Sequence, residues 1–222
     1  PVQDLLIIGH RGAPYARVEN TLSSFAKALA EGANALEIDI CITSDEKVVV
    51  WHDWDPDSGT SKYRESGLED NQKYRPYYPN PPKRRPVSEI SLEELRQNFG
   101  YARKDGSAVP PKRLWRDIPT INEFVRWARR QSVLRTVFLD IKIPENEVDQ
   151  VAPMLSGIRE AMEGHWEKFE LVIMSPFRPI IEEFHRLAPD LKICFDQVVV
   201  HALPLAAAGA SSQFSAIQSA EA

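Results

Sequence analysis

Four short groups of polar residues stand out because each follows or interrupts a short apolar run. They are His10-Arg11-Gly12, Glu37-Ile38-Asp39, His52-Asp53 and Asp140-Ile141-Lys142. In the second and fourth groups the charged residues are two positions apart, and in a β-strand that spacing points both side chains to one face. In parallel α/β folds, polar residues at the carboxyl ends of strands are the ones that form active sites.

The three carboxylates in these groups predict a metal site. Glu37, Asp39 and Asp140 would repel one another strongly at a shared point unless they were protonated or bound to a cation. Ligand sets made only of oxygen suit Mg²⁺ or Ca²⁺ better than Zn²⁺, which prefers Cys and His. We therefore expect a divalent cation, and the sequence leaves Mg²⁺ and Ca²⁺ both open.

The remaining polar residues add acid/base groups and positive charge. His10 and His52 are candidates for a general acid and a general base at the same point. Arg11 and Lys142 provide the positive charge that binding of a phosphate group requires. Together with a divalent cation, these residues indicate phosphodiester cleavage.

Each group also has an ordinary structural explanation. Glu37 and Asp39 in isolation are typical of a strand edge that faces solvent, and Asp140 with Lys142 is typical of an ion pair. His52-Asp53 is equally consistent with a simple hydrogen bond at a strand end. The functional interpretation is favoured because four successive predicted strands place their polar residues near the same end.

Apolar runs alternate with amphipathic segments, which predicts parallel βα units. Strands are predicted at residues 5–8, 35–42, 47–51, 136–143, 169–174 and 191–195, with a weak one at 214–217. Helices are predicted at residues 21–31, 120–130, 151–163 and 179–187. This count leaves two architectures open: an open doubly wound sheet, or an eight-stranded barrel whose C-terminal part is absent from this chain.

The composition excludes several classes of protein. With 222 residues and a net charge of −5, the chain suits one large domain and has no basic character that would indicate nucleic-acid binding. Its apolar runs are far shorter than the roughly 20 residues of a membrane span, and no signal peptide is apparent, which favours a soluble cytoplasmic protein. Cys41 and Cys194 lie in apolar runs and are predicted to be buried thiols. The composition does not indicate an oligomeric state.

The order and spacing of the polar groups resemble the glycerophosphodiester phosphodiesterase family. That family has His-Arg-Gly, Glu-Asn-Thr, Glu-x-Asp and His-Asp motifs in close succession. The corresponding residues here are His10-Arg11-Gly12, Glu19-Asn20-Thr21, Glu37-Ile38-Asp39 and His52-Asp53. The similarity continues through residues 118–120, residues 139–142 and Ser175 to about residue 196.

The resemblance implies a TIM (β/α)8 barrel that hydrolyses glycerophosphodiesters, small-molecule substrates, to sn-glycerol 3-phosphate and an alcohol. It assigns the metal to Glu37, Asp39 and Asp140, acid/base catalysis to His10 and His52, phosphate contacts to Arg11 and Lys142, and a supporting position to Glu19. The family usually has Glu where Asp140 stands. The segment 197–222 resembles the family poorly, so we expect a barrel truncated at its C-terminal end.

A segment rich in proline interrupts the predicted barrel. More than half of the 17 prolines lie between Asp53 and Pro119. We predict an insertion at residues 53–119, after the third strand, between barrel parts 1–52 and 120–222. Its aromatic and basic residues are consistent either with a solvated loop that packs a few of its aromatic rings or with a cap over the barrel mouth that contacts substrate.

Two other functions remain open at this stage. Phospholipases of the sphingomyelinase D type share the barrel, the two histidines and a carboxylate-bound cation. The long stretch between Asp53 and Asp140 favours the glycerophosphodiester interpretation over that class. The second alternative is a truncated homologue that binds metal or phosphate without turnover.

Replacing His10 or His52 by Ala is expected to nearly abolish turnover without unfolding the protein. One imidazole would take a proton from a hydroxyl while the other protonates the leaving alcohol, each step contributing about 10²–10⁴-fold. If the attacking hydroxyl is the 2-hydroxyl of the glycerol, a cyclic phosphate forms first and water then opens it. Steady-state kinetics on a glycerophosphodiester measures the effect, and a variant that keeps more than roughly a tenth of the rate would contradict that assignment.

Overall fold

Strands and helices alternate along most of the chain, as the hydrophobic pattern predicts. The computed structural model describes residues 5–70, 72–104 and 118–195, and the backbone of residues 209–210. The strands are β1 Ile8–His10, β2 Ala35–Ile42, β3 Val48–Val50, β4 Tyr74–Tyr77, β5 Gly100–Arg103, β6 Thr136–Ile141, β7 Glu170–Ser175, β8 Lys192–Phe195 and β9 Gly209–Ala210. The helices are α1 Leu22–Ala30, α2 Gly59–Glu65, α3 Leu92–Asn98, α4 Ile121–Ala128, α5 Val151–Met162 and α6 Arg178–Leu187.

The main sheet has the strand order β1-β2-β6-β7-β8-β9, and every neighbouring pair in this order is parallel. Each strand pairs with the next strand of the series, and α1, α4, α5 and α6 lie in the successive connections. A doubly wound sheet would instead reverse its order at a switch point. The order is therefore that of a (β/α) barrel, although within the described residues no pairing joins β1 to β9.

The strand β3 differs from its predicted role as a third parallel strand. It pairs antiparallel with β2, with Ile40 opposite Val50 and Ile42 opposite Val48. The five residues between the two strands allow a hairpin, whereas a parallel crossover needs a dozen residues or more. The third parallel strand is β6, so the proline-rich segment follows a hairpin that extends from β2.

Most other predicted elements are confirmed within a few residues of their expected ends. The helix α4 buries Ile121, Phe124, Val125 and Ala128, which are the residues its spacing predicts to face inward. Thr120 caps this helix in a reciprocal arrangement with Glu123. The first strand begins at Ile8, three residues later than predicted. The weak strand predicted at residues 214–217 lies outside the described residues.

The segment between β3 and α4 has structure of its own. It contains α2, α3 and a two-stranded antiparallel sheet of β4 and β5. Trp51, at the end of β3, makes edge contacts with Tyr78, Phe99 and Tyr101, with ring centroids 5.1–6.5 Å apart. All four rings are buried, so this part of the segment packs against the end of β3 through an aromatic cluster.

Two predictions from composition can also be compared with the structure. Cys41 and Cys194 are both buried, as expected for thiols in apolar runs. Within the described ranges, none of the helices has both the length and the apolar character needed to cross a lipid bilayer.

Replacing Phe124 by Ala is expected to lower the free energy of unfolding by about 3–5 kcal/mol, because it leaves a cavity where α1 packs on α4. The Phe124 ring is fully buried and lies 5.3 Å from the Phe25 ring in an edge contact. Chemical denaturation measures the change. Trp166→Ala is the control, since this aromatic residue is 41% exposed and its loss should change stability by less than about 0.5 kcal/mol. Equal effects of the two substitutions would contradict the packing described here.

Candidate active site

A tight turn after β1 directs Arg11 into the end of the sheet. Arg11 and Gly12 have positive φ angles of 53° and 86°. A Cβ atom at Gly12 would lie 2.5 Å from Ser24 Oγ, so only glycine fits. Ser24 of α1 stabilises the turn, since its hydroxyl donates to Arg11 O at 3.0 Å and accepts from Ala13 N at 2.8 Å.

Three carboxylates meet at the carboxyl ends of β2 and β6. Glu37 and Asp39 lie on one face of β2, and Asp39 is directly opposite Asp140 of β6 in the parallel register. One oxygen from each residue lies within 4.8 Å of the others, and all three side chains are buried. The structure thus brings together the residues that the sequence suggests as metal ligands.

The electrostatics of this cluster disfavour a negative charge on Glu37 when no cation is bound. Burial and the neighbouring charges of Asp39 and Asp140 raise the pKa of Glu37 well above its usual value. Its Oε2 accepts from Arg11 N at 2.9 Å, whereas its buried Oε1 has no hydrogen-bond partner among the described residues. An oxygen in this position is suited to coordinating a cation.

Lys142 lies among the carboxylates. Its Nζ is 2.8 Å from Asp39 Oδ1 and 2.5 Å from Asp140 Oδ2. Burial alone would raise the pKa of Asp39, but Lys142 and Arg11 together lower it well below its usual value. The ion pair considered as a simple alternative in the sequence is therefore present, and it balances Asp39 and Asp140 more than Glu37.

Arg11 is buried against acidic side chains from three parts of the chain. Its Nε is 3.1 Å from Asp39 Oδ2, and its Nη1 is 3.2 Å from Glu19 Oε2 and 2.9 Å from Glu69 Oε1. Glu19 is the predicted supporting residue, and here it contacts Arg11 directly. Glu69 belongs to the proline-rich segment and was not predicted from the sequence.

Asn20 also contacts the carboxylate cluster. Its Nδ2 donates to Asp39 Oδ2 at 2.6 Å, and its Oδ1 accepts from Asp39 N at 3.3 Å. The next residue, Thr21, caps α1. Asn20 belongs to the Glu19-Asn20-Thr21 motif, but no role in the site was predicted for it from the sequence.

The two histidines differ in their surroundings. The side chain of His10 is 51% exposed, with Nε2 3.8 Å from Glu37 Oε2, while that of His52 is 13% exposed and hydrogen-bonds through Nδ1 to Asp53 Oδ1 at 2.7 Å. Burial and the charge of Arg11 lower the pKa of His52 to about 4, and the same two causes lower the pKa of the more exposed His10 below its usual value. Both imidazoles are therefore neutral at pH 7, which is the form that accepts a proton.

Arg64 extends the charged site into the proline-rich segment. This arginine of α2 contacts Asp53, Glu19 and Glu69 with its guanidinium. Arg64 is one of the basic residues that the cap interpretation includes, but no pattern in the sequence singles out Arg64 or Glu69, because the segment is not periodic and both residues approach the site only through the tertiary fold. One general rule points to a residue such as Arg64: the acidic residues of the motifs need basic partners if they are buried, so a basic residue from elsewhere in the chain was to be expected beside them.

Comparison with known proteins places these residues in a family. The model of the glycerophosphoryl diester phosphodiesterase family matches residues 10–216, which extends past the residue near 196 where the sequence resemblance fades. A glycerophosphodiester phosphodiesterase of Haemophilus influenzae is 29% identical over 192 residues, covering 78% of this chain and 50% of that protein. The chain thus spans about half the length of this curated relative.

Solved structures agree in fold. An Oleispira antarctica phosphodiesterase, in complex with the product sn-glycerol-3-phosphate, has a TM-score of 0.62 and 19% identity, covering 90% of this chain and 68% of that one. A glycerophosphodiester phosphodiesterase of Thermotoga maritima has a TM-score of 0.54 and 21% identity, covering 88% and 63%. These similarities confirm the TIM-barrel fold class. Because the family match includes most of its residues, the chain belongs to the glycerophosphoryl diester phosphodiesterase family.

Proposed function

We propose that this chain hydrolyses glycerophosphodiesters to sn-glycerol 3-phosphate and an alcohol, with a divalent cation as cofactor. The observation that best supports the proposal is the buried cluster of Glu37, Asp39 and Asp140 at the carboxyl end of the sheet. Histidine and arginine side chains contact the same cluster. The Oleispira relative, which holds sn-glycerol-3-phosphate as a product, supports the same substrate class.

The cluster fits a divalent cation in both chemistry and charge. Its donors are carboxylate oxygens, which suit Mg²⁺ and Ca²⁺. The three carboxylates, when ionised, outnumber the two cations that contact them, Lys142 and Arg11, so the cluster keeps negative charge that a bound cation would offset. Glu37 would supply the buried oxygen that lacks a hydrogen-bond partner, with Asp39 and Asp140 completing the set. When bound, such a cation polarises a phosphoryl oxygen and stabilises the charge that develops in the transition state.

His52 is suited to the role of general base. Burial alone would raise the pKa of Asp53, but Arg64 and His52 hold it well below its usual value, so Asp53 is a carboxylate. The Asp53 carboxylate accepts a hydrogen bond from the Nδ1–H of His52, so the proton stays on Nδ1 and the lone pair of Nε2 is left for a substrate hydroxyl. In this assignment Asp53 selects the tautomer of His52.

His10 then has the role of general acid. Half of its side chain faces solvent, so it can exchange protons with water between turnovers. Its low pKa in the free protein rises when an anionic phosphate binds beside it, because a nearby negative charge favours the protonated form. His10 protonates the leaving alcohol in this scheme.

Arg11 and Lys142 contribute positive charge at the phosphate position. Both are charged and buried against carboxylates, which holds their side chains in place before substrate binds. We propose that they contact phosphate oxygens while they remain paired with Asp39. Glu19 supports this arrangement through its ion pair with Arg11.

Hydrolysis is expected to require a divalent cation. With Mg²⁺ or Ca²⁺, the purified chain should release glycerol 3-phosphate from glycerophosphocholine, and chelator should lower the rate at least 100-fold until the ion is restored. An enzyme-coupled assay of glycerol 3-phosphate measures this. Release that resists chelator would contradict the metal assignment. Activity only on intact sphingolipids would favour the sphingomyelinase D alternative, and inactivity on both substrates would favour a binding protein without turnover.

Replacing Glu37 by Gln is expected to have two opposite effects: the metal-free protein becomes more stable, and a divalent cation no longer stabilises it. A carboxyl group whose pKa is raised in the folded protein destabilises it at neutral pH, where the unfolded chain is ionised. The amide should therefore raise the free energy of unfolding of the metal-free protein at pH 7. It should also remove the stabilisation of about 2–3 kcal/mol that a cation gives at 100 times its dissociation constant.

Thermal and chemical denaturation, with and without Mg²⁺ or Ca²⁺, measure both effects. Glu163→Gln is the matched control, because this glutamate is exposed and distant from the cluster in sequence. It should leave stability and the effect of the cation unchanged. A Glu37→Gln protein that is less stable without metal, or that still gains stability from the cation as the wild type does, would contradict this description.

A further inference from the structure

Arg64 is a buried cation supplied by the proline-rich segment. It lies in α2, and its side chain is only 2% exposed. Its Nε is 3.0 Å from Asp53 Oδ1, its Nη1 is 2.6 Å from Glu69 Oε2, and its Nη2 contacts Glu19. One guanidinium therefore pairs with three carboxylates through three different nitrogens.

Each of these carboxylates also contacts a residue of the candidate active site. Asp53 accepts the hydrogen bond of His52 Nδ1 at 2.7 Å. Glu19 and Glu69 both contact Nη1 of Arg11, at 3.2 Å and 2.9 Å. Arg64 is thus linked by one carboxylate to an imidazole and by two carboxylates to the arginine beside the metal ligands.

The arrangement of the three carboxylates around Arg64 suits an arginine side chain better than a lysine. A guanidinium presents its donors in a rigid planar fork, so it can hold three acceptors at fixed angles, whereas lysine is a single point charge on a flexible stem. Burial of such a group is unfavourable unless it is fully paired. The contacts of Arg64 with three carboxylates meet this requirement and fix their positions relative to one another.

Arg84, from the same segment, provides a contrast. It also pairs with two carboxylates, Asp57 at 3.0 Å and Glu65 at 2.8 Å. Among the described residues, neither of these carboxylates contacts His52 or Arg11. Arg84 also lies 4.9 Å from the ring centroid of Tyr78, whose hydroxyl interacts with Asp53. A lysine keeps a cation near that ring, so Arg84 has the ion pairs of a structural arginine and no carboxylate that links it to the site.

We propose that Arg64 is a positioning residue for the hydrolysis described under Proposed function, on which this inference rests. It holds Asp53 against His52, which maintains the tautomer that leaves Nε2 available as a base. It also holds Glu19 and Glu69 against Arg11, which keeps that guanidinium beside Asp39. Arg64 itself does not touch the substrate in this scheme.

The test compares Arg64→Lys with Arg84→Lys in the full chain. Both substitutions keep the positive charge and remove the planar fork. We expect kcat on glycerophosphocholine to fall about 10- to 100-fold in Arg64→Lys, as for residues that orient a catalytic group, and to stay within twofold in Arg84→Lys. The ¹⁵N chemical shifts of the His52 imidazole should move toward a mixture of tautomers only in Arg64→Lys.

A second variant, Glu69→Gln, keeps the test valid if Arg64→Lys does not fold. Glu69 is 23% exposed, and its substitution leaves Arg64 paired with Asp53 and Glu19. It should raise KM about three- to tenfold by loosening Arg11, with kcat and the His52 shifts little changed. A folded Arg64→Lys protein with wild-type kcat and wild-type His52 shifts would overturn the proposal, as would an unchanged KM in Glu69→Gln.

The spectroscopic readout separates this inference from the proposed function. If the wild-type chain hydrolyses no glycerophosphodiester, the proposed function fails. The His52 shifts of Arg64→Lys and Arg84→Lys still report whether Arg64 orients the imidazole. Equal shifts in both variants would then overturn the positioning role independently of any activity.

Discussion

Negative charge buried at the carboxyl end of the sheet is the constraint on which the rest of the site depends. One carboxylate oxygen each of Glu37, Asp39 and Asp140 lies within 4.8 Å of the other two, and repulsion between carboxylates is strong in such a buried position. Lys142 and Arg11 offset part of this charge, and Glu37 retains a buried oxygen with no hydrogen-bond partner among the described residues. Such an arrangement lowers the free energy of unfolding of the metal-free protein, and a bound cation would offset this loss.

The parts of this site that follow from local pattern could be predicted from the sequence. Alternation along β2 places Glu37 and Asp39 on one face, and the parallel register with β6 places Asp140 opposite Asp39. The inward face of α4 was likewise evident from helical spacing, because burial of one apolar face is what defines such a helix. These features depend on periodicity, which a single sequence displays.

Other features depend on tertiary contacts and could not be predicted in this way. The apolar residues of β3 are compatible with parallel or antiparallel pairing. Only the short connection after β2 indicates the antiparallel hairpin that forms. Asn20 directly precedes α1, where asparagine is common for reasons of helix capping. Its hydrogen bond to Asp39 depends on how α1 packs beside β2, which the sequence does not show. Arg64 and Glu69 approach the site from a segment without periodicity, and their roles depend on how that segment packs against the barrel.

The hairpin and the segment after it explain how a second set of charged residues, Asp53 and Arg64, comes to lie beside the carboxylate cluster. The main-chain amide of Trp51 donates to Asp39 O at 3.0 Å, so the returning strand places His52 near the level of the three carboxylates. The aromatic cluster around Trp51 then packs the following segment in place, which allows Arg64 to reach Asp53 without exposure to solvent. Apolar packing and buried ion pairs therefore support the same arrangement.

The central claim is that the three carboxylates bind one divalent cation. The most direct measurement is an anomalous difference map from crystals of this chain grown with Mn²⁺, which accepts the same oxygen ligands as Mg²⁺. The account predicts one strong peak in contact with oxygens of Glu37, Asp39 and Asp140. A map with no peak there, while Lys142 still bridges Asp39 and Asp140, would contradict it.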